Sequence, residues 1–75
     1  MDAINAIRVM IKRSGKRQTQ VSEDIGRSYS YVGTVLAKAC PPQVDTLAAI
    51  AAACGYRLAL IGRDGDRIDI DAPAR

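Results

Sequence analysis

The side chains able to recognise a partner are crowded between residues 16 and 38. They are the cations Lys16, Arg17, Arg27 and Lys38, the amide of Gln18, and the hydroxyls of Ser28, Tyr29, Ser30, Tyr31 and Thr34. These groups donate hydrogen bonds and positive charge. They do not form an acid–base pair or an activated nucleophile. The chain has no His, and no paired carboxylates stand in an apolar context. Its two Cys are too few for a tetrahedral metal site. Asp64, Asp66, Asp69 and Asp71 lack the spacing and terminal Glu of an EF-hand loop and read as a solvated face. The sequence therefore predicts a binding protein, with no enzyme activity, no metal, no cofactor and no small-molecule ligand.

Charge sharpens the kind of partner. The net charge of +3 is unevenly spread. Residues 1–40 hold seven Lys and Arg against three acidic residues, a balance of +4, whereas residues 41–75 hold four against five, a balance of −1. A polyanion on the N-terminal side fits that asymmetry. The opening Met1-Asp2 has neither the basic nor the apolar region of a signal peptide. No run reaches the ~18 apolar residues of a membrane span. A cytoplasmic chain, associated with the nucleoid when bound to DNA, is expected. Cys40 and Cys54 are then free thiols, read as small buried apolar residues.

The elements that must position these groups are short. Ile4, Ile7 and Ile11, with Met10 alongside, predict a first helix over Ala3–Arg13, capped by Asp2 and ended by Gly15. Val21 and Ile25 share one face of a second helix, Arg17 to about Ile25. Gly26 follows where a helix C-terminus favours positive φ. Ser28 is placed to cap a third helix running to about Ala39, with Val32, Val35 and Leu36 at helical spacing. Two short helices joined by a turn of three or four residues containing Gly, here Gly26-Arg27-Ser28, form a helix-turn-helix. The second helix of that motif enters the DNA major groove. Cys40-Pro41-Pro42 breaks the chain. A fourth helix opens at Gln43 or Asp45, buries Leu47, Ile50, Ala51 and Cys54, and closes at Gly55.

The period then changes. Tyr56–Ile61 is rich in strand formers, and Ile68 and Ile70 alternate with Arg67, Asp69 and Asp71. Asp64-Gly65 between two such runs signals a hairpin. A lone hairpin is marginal in water. Tyr56, Leu58, Leu60, Ile68 and Ile70 are therefore expected to join a two-fold mate in an intermolecular sheet. Residues 1–55 form the predicted DNA-binding unit, 56–71 the dimerisation hairpin and 72–75 a frayed tail. The fold class expected is mostly α, four to five helices with a C-terminal β-hairpin.

From residue 4 to about 60 the chain resembles the Xre/Cro-type repressor family, with a lambda-repressor-like arrangement. Gln18 stands eight residues before Gly26, as the family's Gln does at the start of its second helix. Val21, Ser22, Ile25 and Gly26 take its aliphatic, small, aliphatic and Gly places, and Ser28 and Val32 those of the third helix. Thr46-Leu47, Ile50-Ala51 and Cys54-Gly55 are similar to its fourth helix. Lys16 and Arg17 depart from the apolar residue and Ser or Thr that usually precede the Gln. Gly33 is also unusual inside a helix.

The resemblance implies roles. Base contacts fall to Tyr29, Ser30, Gly33 and Thr34. DNA-backbone contacts fall to Lys16, Arg17, Gln18, Arg27, Ser28, Tyr31 and Lys38. The base-contact positions hold no Arg, Asn or Gln, so strong bidentate contacts are missing there. The expected function is sequence-specific binding of double-stranded DNA by a homodimeric transcriptional regulator, a repressor on a near-palindromic operator. The hairpin also resembles the β-extension of antitoxin-type members, which implies an alternative: an antitoxin that binds a toxin protein and autoregulates its operon. A third possibility is a non-specific architectural binder.

Overall fold

The structure, a computed structural model, describes residues 1–73. It holds four helices and one antiparallel hairpin: α1 (Ala3–Ser14), α2 (Gln18–Asp24), α3 (Tyr31–Lys38), α4 (Val44–Ala53), β1 (Leu58–Ile61) and β2 (Arg67–Ile70). Asp2 caps α1, its carboxylate accepting from the Asn5 N–H at 2.9 Å. No helix among the described residues is long and apolar enough to cross a membrane.

Two helices end by the same device. Past α2 the Gly26 N–H donates to the Glu23 carbonyl and the Arg27 N–H to the Ser22 carbonyl. Past α4 the Gly55 N–H donates to Ala52 and the Tyr56 N–H to Ala51. This pair of crossed bonds is the Schellman ending, and it needs a left-handed residue at its centre. Gly26 and Gly55 supply it, at φ 79° and 81°. Ala39 ends α3 at φ 51° without that freedom, a conformation costing an L side chain about 1–2 kcal/mol.

The core is built where the four helices meet. Ile7 and Ile11 of α1, Val21 of α2, Val32 and Leu36 of α3, and Ile50 with Cys54 at the end of α4 form one buried cluster. Ile7, Val21, Val32 and Ile50 are fully excluded from solvent. Burying each such side chain is worth about 1.5–3 kcal/mol. Ile4, Met10, Ile25, Tyr31, Leu47 and Ala53 pack around it, partly covered.

The structure corrects several boundaries. The third helix starts at Tyr31, not Ser28, so residues 25–30 form a connection longer than the expected turn. Ser28 makes no helix cap; its carbonyl accepts the Tyr31 N–H at 3.0 Å in a preceding turn. The second helix begins at Gln18, with Arg17 outside it and giving no side-chain cap. On α4 it is Ala48 that is buried, with Leu47 only half covered. Cys40 is exposed rather than buried; Cys54 is buried and both are free thiols. The first strand starts at Leu58, two residues after Tyr56.

Leu58 pairs with Ile70, Ala59 with Asp69, Leu60 with Ile68 and Ile61 with Arg67. Side chains alternate across a sheet, so Leu58, Leu60, Ile68 and Ile70 share one face. The loop is closed by the Gly62 N–H on the Asp66 carbonyl at 2.7 Å and the Gly65 N–H on the Gly62 carbonyl at 3.1 Å. Ala72 and Pro73 follow without regular structure. The rest of the expected tail, Ala74 and Arg75, lies outside the described residues.

Candidate functional site

One buried hydroxyl fixes α3 against α2. Ser22 is fully buried, and its Oγ donates to the Gln18 carbonyl at 2.9 Å. The same oxygen accepts the Val32 N–H at 3.0 Å. Val32 lies in the first turn of α3, where backbone N–H groups have no partner inside the helix. Ser30, at the N-cap, makes no side-chain capping bond. The cap is therefore delivered from the neighbouring helix. Sequence reading placed a small residue at 22 but missed this role, because the partner is ten residues away. Arg8 adds a second tie, donating from Nη2 to the Leu36 carbonyl near the other end of α3 at 3.4 Å.

The junction presents a shallow groove of about 320 Å³. Tyr29, Ser30, Gly33, Thr34 and Ala37 line it from α3 and the segment before it, and Gln18 and Thr19 from α2. The four expected base contacts are thus brought together on one surface. Tyr29 is 66% exposed, so its ring is not committed to the core. At Gly33 the Gln18 side chain of α2 reaches α3. A Cβ built there would stand 3.4 Å from Gln18 Oε1. The amide of Gln18 lies over the stretch of α3 that has no side chain.

The expected backbone contacts divide. Arg17 and Gln18 stand at the start of α2, and Lys38 in the last turn of α3. Arg27 and Ser28 are exposed in the connection between the two helices. The Arg27 guanidinium stacks over the Tyr31 ring, 4.8 Å from its centre. Tyr31 is half-buried against the core, so packing and the cation hold its ring.

Lys16 has a different occupation. Its Nζ donates to Asp24 Oδ2 at 2.9 Å and to the Ala53 carbonyl at 2.8 Å. Asp24 ends α2 and Ala53 ends α4, so the cation sits where two negative helix ends converge. It closes the helical body there instead of lining the groove. Cys54 is its neighbour. Burial pushes the Cys54 thiol above its ordinary range; a Ser14 hydrogen bond and the Lys16 charge oppose the rise, and Asp24 adds to it. A buried, protonated thiol is a packing group.

A larger cleft, about 520 Å³, lies away from the groove, between α4, the end of α2 and Ala72-Pro73. Its polar side chains, Lys16 and Asp24, already bond to one another. Among the described residues no buried polar side-chain atom lacks a partner. Among those residues no group of three or more His, Cys, Asp or Glu is placed to hold a metal ion. Nothing in this cleft singles out a ligand.

The hairpin residues also divide. Leu58 and Ile70 are half-buried and share a cleft with Ala48 and Ala52 of α4. Leu60 and Ile68, next along the same face, are each 57% exposed. Tyr56 is exposed as well, and so is Ile61 on the opposite face, which the sequence reading left out. Comparison with protein-family models, with curated proteins and with solved structures finds no match.

Proposed function

We propose that this chain is a sequence-specific double-stranded DNA-binding regulator of transcription, a repressor of the Xre/Cro helix-turn-helix type acting as a homodimer. In this reading α2, residues 25–30 and α3 are the helix-turn-helix, and α3 enters the major groove. The observation that carries the reading is the groove. Tyr29, Ser30, Gly33 and Thr34, four positions expected to face base edges, open onto one solvent-exposed surface beside Gln18. Hydroxyls there donate to or accept from either kind of base pair. Ser22 holds α3 at a set angle, which rigid docking into a groove requires.

The hairpin supports the two-fold assembly. Its Leu60–Ile68 end has no cover among the described residues, and both strands have a free edge. Paired copies would place two recognition helices about one DNA turn, ~34 Å, apart. An antitoxin role draws on the same outward Leu60, Ile61 and Ile68, with a toxin protein as their cover.

The test is selection of bound sequences from a random duplex pool at physiological salt, since backbone affinity falls steeply with salt. A palindrome with half-sites one helical turn apart is the expected result. Absence of any enriched sequence would overturn the proposal, and co-purification with a second protein would favour the antitoxin.

A further inference from the structure

We infer that Gln18 reads a base edge, the adenine of an A·T pair, rather than a phosphate. The inference rests on the DNA-reading proposal above and changes the role of one residue within it. Three observations carry it. First, the amide is not directed off the end of α2; it lies across α3 at Gly33, with Oε1 3.4 Å from where a Cβ would stand. Second, it lines the same groove as Tyr29, Ser30 and Thr34. Third, its hydrogen-bonding groups are unused. Within the described residues Gln18 bonds only through its backbone, accepting from Ser22 Oγ. Gln20, two residues further along α2, differs: its Nε2 donates to Asp24 Oδ1 at 2.9 Å.

The chemistry completes what α3 lacks. Hydroxyls alone discriminate bases weakly, and no Arg, Asn or Gln stands at the expected base-reading positions of α3. An amide carries one donor edge and one acceptor edge side by side. That pair matches N6 and N7 of adenine in the major groove. Gly33 leaves the amide's path open, since a Cβ there would already touch Gln18 Oε1 at 3.4 Å and a longer side chain would compete with it for the groove.

The experiment compares the sequences selected by the wild-type protein, Gln18→Ala and Gly33→Ala from one random duplex pool. Gln18 is exposed, so its truncation leaves the core alone. The expected result is an adenine at one position of each half-site that Gln18→Ala ceases to prefer, with discrimination there falling roughly ten- to a hundredfold and the other positions unchanged. Gly33→Ala, which puts a methyl against the amide, is expected to alter preference at that same position. Uniform weakening on all sequences by Gln18→Ala would overturn the inference in favour of a backbone contact. Unchanged selection would overturn it too. If the wild-type protein enriches nothing, the DNA-reading proposal itself fails, a result visible before any variant is compared.

Discussion

The helical body and the hairpin hold themselves together by opposite means. In the body, residues far apart in sequence converge on one dry cluster, and polar groups serve as ties between helices. Ser22 joins α2 to α3, Lys16 joins the ends of α2 and α4, and Arg8 reaches the end of α3. In the hairpin, the bonds are local. Each strand bonds its neighbour, the loop closes on itself, and Asp69 is gripped by Arg57 at 3.3 Å and Arg67 at 2.8 Å in the open. The Leu58–Ile70 end shares a cleft with α4. The contrast teaches where each region gets its stability. The body is complete within one chain. The hairpin is complete in its backbone and incomplete in its apolar face.

Breaking the body should have the larger effect. Ile50→Ala removes a side chain with no solvent exposure and is expected to cost about 2–5 kcal/mol, whereas Ile61→Ala, at 67% exposed, should stay within about 0.5 kcal/mol. Urea midpoints of the two variants measure the contrast directly; equal shifts would abolish it. Ser22→Ala tests the polar ties. It leaves the Val32 N–H buried without an acceptor, at a cost of about 1–3 kcal/mol. It should also lower affinity for a selected operator beyond what the stability loss explains, by freeing the angle of α3.

The hairpin is expected to respond in assembly more than in folding. Leu60→Thr with Ile68→Thr, which keeps strand-forming side chains opposite one another, should change monomer stability by no more than about 0.5 kcal/mol per site. Sedimentation should nonetheless show the mass fall from dimer to monomer. A persisting dimer would move the interface to another surface. The smallest effect belongs to Asp69. The Arg67 hydrogen bond, followed by the charges of Arg67 and Arg57, holds its carboxyl below the ordinary range. Its contribution is thus present above the pKa of an unfolded Asp, about 3.9, and lost as pH falls through the lower folded value. Asp69→Asn should therefore flatten a slight acid sensitivity of the strand signals between about pH 4 and lower values, and leave neutral stability nearly unchanged.

Much of the fold is legible where structure follows local chemistry. The Asp2 cap, the glycine endings at Gly26 and Gly55, the stripe of Ile7 and Ile11, and the Asp64-Gly65 turn each depend on residues a few positions apart. What escapes sequence reading depends on groups brought together from a distance. Ser28 has the right chemistry and position for a cap. Yet Ser22 supplies the bond, so the helix starts three residues later. Lys16 reads as a free cation because its acceptors lie 8 and 37 residues away. Ala48 is buried although the sequence pattern points to its neighbour Leu47, which packs against the core only partly covered. In the candidate site, the grouping of Tyr29, Ser30, Gly33 and Thr34 is implied by the family resemblance; only Gly33 and Thr34 stand on α3, and Tyr29 and Ser30 come from the segment before it. The placement of Gln18 over Gly33 is not implied, since it depends on how two helices cross.

The Ser22 hydroxyl has a kinetic consequence. The amide proton of Val32 is shielded by an atom that belongs to another helix. Fraying of α2 exposes that proton even while α3 keeps its own backbone bonds. Amide exchange at Val32 is then expected to be paced by the opening of α2 rather than by the opening of its own helix.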